Sequence, residues 1–208
     1  PRLTALEVLD LSLPSDVNSK QWAAIARGLS PGARASLRLL SLEHCEGMNR
    51  DGLAALLGVT HDGLAPLPAL RVLIAGSEMD SSATAEGLTA ALRRGCLPSL
   101  RVVDLRRVRL DVGLAEALRG SGLEELELSS GDVSEAAAAA LGAAVCHMPR
   151  LRSVDIEDVG FTGDAVSALA AALAAGAVPR SLSQVCLRGW MHGRAGEAEA
   201  NAVAAAAE

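Results

Sequence analysis

One pattern recurs seven times along this 208-residue chain: a Leu-x-x-Leu-x-Leu run with conservative replacements, then a turn, then an Ala/Leu-rich stretch. It occupies Leu6–Leu9–Leu11, Leu37–Leu40–Leu42, Leu70–Leu73–Ala75 and Leu100–Val103–Leu105. It returns at Leu123–Leu126–Leu128, Leu151–Val154–Ile156 and Leu182–Val185–Leu187. Successive first positions are 31, 33, 30, 23, 28 and 31 residues apart. A period of this length marks a repeat architecture, in which each unit cannot cover its own apolar surface and buries it against its neighbours.

Within each unit the hydrophobic period changes from two to about 3.6. Around Leu126 and Leu128, or Val154 and Ile156, apolar residues alternate as in a short strand buried on one face. Helical stripes follow: Trp22, Ile25 and Leu29; Leu53, Leu56 and Leu57; Leu88, Ala91 and Leu92. Further stripes run through Leu114, Ala117 and Leu118, through Ala137, Leu141 and Ala144, and through Val166, Leu169 and Leu173. Asp111, Ser134 and Thr162 stand where N-caps are wanted, and Gly95, Gly120 and Gly176 where helices should stop. The 23-residue unit predicts a truncated helix, and Glu197 to Glu208 reads as a last helix with a weak stripe around Val203.

Strand and helix in unbroken alternation predict a parallel sheet lined by parallel helices. The aromatic residues are only Trp22, Phe161 and Trp190, so Leu, Val and Ala must fill the interior in thin layers. The alanine runs Ala136–Ala140 and Ala170–Ala172 fit closely packed helices.

These units resemble the leucine-rich repeat family, and its ribonuclease-inhibitor-like subclass in particular. The unit Leu151-Arg-Ser-Val154-Asp-Ile156-Glu-Asp-Val159-Gly-Phe161-Thr162 is the nearest match, and the unit from Leu37 places Cys45 at the family's Asn/Cys position. The resemblance implies an α/β horseshoe of about seven repeats (starting near 6, 37, 70, 100, 123, 151 and 182), strands on the concave face and helices on the convex face. It covers nearly all of 1–208 as a single domain. Pro14, Glu78, Val108, Gly131, Val159 and Trp190 replace Asn/Cys in the other units, so the side-chain ladder along that turn should be incomplete. With no clear capping unit at either end, the chain reads as a segment of a longer protein.

Charge and composition narrow the function classes. Twenty-five acidic against 19 basic residues give a net charge of −6, which argues against a general nucleic-acid binder. The longest apolar stretch, Ala165 to Val178, contains Ser167 and is too short to span a bilayer. Cys45, Cys96, Cys146 and Cys186 form no close pair and read as reduced thiols of an intracellular, cytoplasmic protein. The chain begins at Pro1, so a targeting segment could precede it.

Outward positions of the strands form three columns. They are Val8, Leu39, Val72, Val102, Glu125, Ser153 and Gln184; then Asp10, Ser41, Ile74, Asp104, Glu127, Asp155 and Cys186; then Ser12, Glu43, Gly76, Arg106, Ser129, Glu157 and Arg188. Two patches result. Val72 and Ile74 belong to an apolar row, which reads either as a binding surface or as ordinary β-branched strand preference. Asp104, Glu125, Glu127, Asp155 and Glu157 form an acidic group, which points to a basic protein partner or to a solvated face neutralised by Arg101, Arg106, Arg107, Arg150 and Arg152.

Catalytic signatures are missing from the sequence. His44, His61, His147 and His192 are scattered, with no metal-like spacing to Cys or carboxylate. No nucleophile elbow, P-loop or dinucleotide fingerprint occurs, and Gly58, Gly63 and Gly76 sit at repeat junctions where positive φ explains them. Cys186 should face outward with only Arg188 to activate it, and Trp190 and Met191 close the last strand. The expectation is no enzymatic activity and no cofactor. The leading reading is a protein–protein interaction module, the recognition or scaffold part of a larger protein. A GTPase-activating protein of the Ran type and a stoichiometric inhibitor of a basic enzyme are the alternatives.

Overall fold

The computed structural model describes residues 5–11, 17, 19–45, 48–60, 63–76, 81–129, 132–157, 160–161 and 163–188. The chain forms two compact units, Pro1–Val108 and Arg109–Glu208. In the first, the elements are β1 (Val8–Asp10), α1 (Ser19–Gly28), α2 (Pro31–Ser36), β2 (Leu39–Glu43), α3 (Arg50–Leu56), β3 (Val59–Thr60), β4 (Gly63–Leu64), β5 (Val72–Gly76), α4 (Ser81–Arg93) and β6 (Val102–Arg106). Strands β1, β2, β5 and β6 pair in parallel in that order, while β3 and β4 form a small antiparallel pair. The second unit holds α5 (Val112–Leu118), β7 (Glu125–Ser129), β8 (Asp132–Val133), α6 (Glu135–Val145), β9 (Ser153–Glu157), β10 (Gly160–Phe161), α7 (Gly163–Ala175) and β11 (Gln184–Arg188). Here β7, β9 and β11 are parallel neighbours, and β8 pairs with β10. The class is α/β, with a parallel strand at each of the seven predicted places and repeated strand–helix alternation.

The repeat is geometric as well as compositional. In the first unit the amides of Arg38 and Leu39 both donate to the Glu7 carbonyl, those of Arg71 and Val72 to Arg38, and those of Arg101 and Val102 to Arg71. The second unit repeats the device: Arg152 and Ser153 donate to Glu124, and Ser183 and Gln184 to Arg152. The period-two pattern then decides which side chains enter the core. Leu40, Leu42, Leu73, Ala75, Val103 and Leu105 are all buried, as are Leu126, Leu128, Val154 and Ile156.

The turns that follow β2 and β6 share one conformation. His44 after β2 and Arg107 after β6 both adopt φ 57°, in the left-handed region. The next residues, Cys45 and Val108, are thereby carried into the interior. The Cys45 thiol donates to the Leu11 carbonyl of the preceding repeat at 2.8 Å. Val108 has no polar atom to repeat that bond, so the ladder is interrupted there. Pro14, Glu78, Gly131, Val159 and Trp190 lie outside the described residues, as do Met191, Thr162 and the segment 197–208.

Helix ends follow the capping residues. Asp111 Oδ1 accepts from Leu114 N at 2.7 Å and Ser134 Oγ from Ala137 N at 3.3 Å, each satisfying an orphan amide of the first turn. Gly95 and Gly120 adopt φ 67° and 73° just beyond α4 and α5. Helix α5 is 7 residues long, against 13 for α4 and α7, matching its short repeat. Helix α2 is an addition to the sequence reading. Its signal was present: Ser30 caps Ala33 N at 3.2 Å and Pro31 occupies the first turn, where a missing N–H costs nothing.

Packing is close because the helix faces are small. In the first unit Trp22 is fully buried, and its Cβ lies 2.9 Å from where a side chain on Gly52 of α3 would begin. In the second, α6 packs on α7 through Gly142. A Cβ there would lie 2.6 Å from Ala172 Cβ and 3.0 Å from the Leu169 carbonyl. On an exposed helix, Gly→Ala stabilises by about 0.8–1 kcal/mol. Overpacking against backbone costs about 1–3 kcal/mol. The second effect wins, and Gly142→Ala is expected to lower stability by roughly 1 kcal/mol in urea unfolding.

Arg34 of α2 is buried among these elements at 7% exposure and forms no salt bridge among the described residues. Nη2 donates to the carbonyls of Ala26 (2.7 Å) and Ala55 (3.4 Å), Nη1 to those of Ala65 (3.1 Å) and Leu56 (3.3 Å). Ala26, Ala55 and Leu56 belong to the last turns of α1 and α3, where unpaired carbonyls and the dipoles present negative charge. Burial pulls the Arg34 guanidinium below its ordinary value, opposed by Cys96. A guanidinium still keeps its charge at neutral pH.

The four cysteines form no disulfide. Burial pushes the Cys96 thiol up, against the opposing pull of Arg94 and Arg34, and burial also raises Cys146. A raised thiol stays neutral where its unfolded counterpart ionises, near pH 8.5. Stability is therefore fully present below about pH 8.5 and declines as pH rises towards the folded-state values. Urea unfolding at pH 7 and pH 9.5 checks this, and Cys96→Ala should flatten the decline. No helix among the described residues is long and apolar enough to cross a membrane.

Candidate functional site

The outward columns read from the sequence are rows of direct neighbours within each unit. In the first, Val8 pairs with Leu39, Leu39 with Val72, and Val72 with Val102. Asp10–Ser41–Ile74–Asp104 and Glu43–Gly76–Arg106 form the next two rows. In the second unit the rows are Glu125–Ser153–Gln184, Glu127–Asp155–Cys186 and Ser129–Glu157–Arg188. Ser12 lies outside the described residues.

The apolar row is half-buried rather than open. Leu39, Val72, Val102 and Ile74 are each partly covered by their neighbours, and only Val8, on a strand with one partner in this unit, is largely exposed at 57%. Val72 and Ile74 are thus contiguous with a limited exposed area, not an extended hydrophobic patch.

The acidic residues divide into two environments. Asp104 points outward yet is only 6% exposed, because Arg106 lies over it. Arg106 Nη2 and Nε donate to the two Asp104 oxygens at 2.9 and 3.3 Å, and Nη1 donates to Glu43 Oε1 at 2.8 Å. One guanidinium therefore holds two carboxylates, one from its own strand and one 63 residues earlier in the sequence. The bidentate geometry makes this stronger than an ordinary surface pair. Arg106→Gln leaves Asp104 nearly buried without that cation. The expected loss is about 1–2 kcal/mol, shrinking in high salt, as urea unfolding at two ionic strengths would measure.

In the second unit Glu125 is exposed, and Glu127, Asp155 and Glu157 are half-exposed. Glu127 and Asp155 are direct register partners on β7 and β9, and Glu157 stands beside Ser129. Adjacent parallel strands are separated by about 4.8 Å, so these carboxylates share one small area of field. Cys186 continues the middle row beside Asp155, half-exposed, and the Gln184 amide donates to its sulfur at 3.1 Å.

No group of three or more His, Cys, Asp or Glu among the described residues could hold a metal ion. His147 is tied to the helix surface, with Nδ1 at 2.8 Å from the Ala143 carbonyl and Nε2 at 2.8 Å from Arg119. No known protein-family model matches the chain, and no curated protein is significantly similar to it.

Proposed function

We propose that this chain is a leucine-rich repeat module of the ribonuclease-inhibitor-like, horseshoe kind. It binds a basic protein partner through the outward face of its strands, serves as the recognition or scaffold part of a larger intracellular protein, and carries out no catalysis of its own. The observation that supports the reading best is the register pair Glu127–Asp155 on the neighbouring strands β7 and β9, with Glu125 and Glu157 beside it on the same strands. Opposed like charges on adjacent strands cost a few tenths of a kcal/mol or more each. A cationic partner would be drawn in by the field of this acidic area. Asp104 and Glu43 contribute less in this reading, because Arg106 already neutralises them.

Affinity capture from a lysate of the source cell, with two baits side by side, tests the proposal. One bait is the chain itself and the other carries Glu127→Lys and Asp155→Lys, with circular dichroism to establish that it folds. The expected result is a basic protein retained by the first and lost by the second. Equal retention by both would overturn the acidic-face reading. A stoichiometric inhibitor would use the same carboxylates, and loss of a captured enzyme's activity at one-to-one stoichiometry identifies that case.

A further inference from the structure

The helical side of the first unit carries a feature the strand face does not use. A groove of about 890 Å³ is bordered by α1, α2, α3 and α4 and by the segment around Ala65–Pro68. Its walls are small and apolar: Ala23 and Ala26 of α1, Ala54 and Ala55 of α3, Ala90 of α4, and Pro66. Four arginines, Arg27, Arg34, Arg50 and Arg94, line it against a single carboxylate, Asp51. They are not equivalent. The terminal nitrogens of Arg34 are spent on four backbone carbonyls, so it contributes charge rather than hydrogen bonds. Arg50 is engaged by Glu86 at 3.1 Å. Arg27 and Arg94 line the groove from exposed positions.

We propose that this groove binds a small organic anion with an apolar body, a medium-chain carboxylate in chemical class. The hydrocarbon would lie against the alanines and the carboxylate at the groove's edge, on Arg27 or Arg94. Apolar walls bordered by a few charged groups, in a volume within the usual range of roughly 300–1,000 Å³, suit a small-molecule site. A protein segment would need about 800 Å² of contact on each partner, more than such a groove offers. An inorganic anion would leave the apolar walls unused. A neutral lipid would leave the excess positive charge uncompensated, whereas guanidinium–carboxylate bonds are among the strongest polar contacts available.

Isothermal titration of the full chain with octanoate, octan-1-ol and acetate tests this. Octanoate is expected to bind saturably at one site, with octanol and acetate each at least about tenfold weaker. The double variant Arg27→Gln, Arg94→Gln should weaken octanoate at least about tenfold while its circular dichroism and Tm stay unchanged. Ala55→Leu, which fills the groove with both arginines intact, should abolish octanoate binding independently. Equal binding of octanol and octanoate, or an unaffected double variant, would overturn the proposal, as would the absence of saturable octanoate binding at millimolar concentration. None of these outcomes depends on the carboxylates of β7 and β9.

Discussion

Replacing Gly76 by alanine is expected to destabilise the chain by about 2–6 kcal/mol, the largest effect of any single methyl group added to its described strands. Gly76 ends β5 at φ 134°, a conformation that side-chain-bearing residues rarely adopt, and a Cβ there would overlap the backbone carbonyl of Arg106 on β6. Strain at such a position costs about 1–3 kcal/mol. Overpacking against backbone, which cannot swing aside as a side chain can, adds about 1–3 kcal/mol more. The two act together because the parallel register places Gly76 directly beside Arg106. Chemical unfolding of Gly76→Ala measures the loss, and a change below about 1 kcal/mol would mean that β5 and β6 approach less closely than described. Gly95→Ala is the control: its φ is 67° with nothing within 4 Å of a Cβ, so only the conformational part should appear.

Arg34→Ala is expected to cost about 3 kcal/mol. The guanidinium joins the last turns of α1 and α3 and the Ala65 carbonyl, and its removal takes this donor from the Ala26, Leu56 and Ala65 carbonyls, while Ala55 keeps the Gly58 amide. Each orphaned acceptor costs about 1–3 kcal/mol, reduced where water enters the space left behind. Arg34→Met restores the bulk but not the donors, so it separates the two causes. If packing dominates, methionine recovers most of the loss. The structure predicts that it recovers less than half, because four carbonyls at 2.7–3.4 Å converge on the two terminal nitrogens. Arg34→Lys should fall between, since an ammonium has three donors and no fork to span both helix ends.

Much of the fold was legible because strand sterics are simple. A period of two places Leu40, Leu42, Leu73 and Val103 inside and Leu39, Val72 and Val102 outside, and the structure keeps those residues in register. The caps at Asp111 and Ser134 and the short α5 were legible for the same local reasons. Long-range pairing was not. Nothing in the Ser30–Ser36 stretch announces that Arg34 will meet two helix C-termini 8 to 22 positions away and the Ala65 carbonyl 31 positions away, because only the packed elements bring those carbonyls together. Arg106 stands two residues after Asp104 on the same strand face, so their pairing could be read from sequence. Its second partner, Glu43, comes from β2 and could not. As a result the acidic group Asp104, Glu125, Glu127, Asp155 and Glu157 is uniform in sequence and uneven in structure, with Asp104 clamped and the β7–β9 carboxylates more open.

The central claim, that the strand face of the second unit is a docking surface for a basic protein, is tested most directly by zero-length carboxyl-to-amine cross-linking of the chain to its captured partner. Mass spectrometry then identifies which carboxylates have joined partner lysines. The account predicts cross-links at Glu125, Glu127, Asp155 and Glu157. Cross-links confined to carboxylates of the helices, such as Glu135 of α6 and Asp164 of α7, would place the partner on the other side and contradict it.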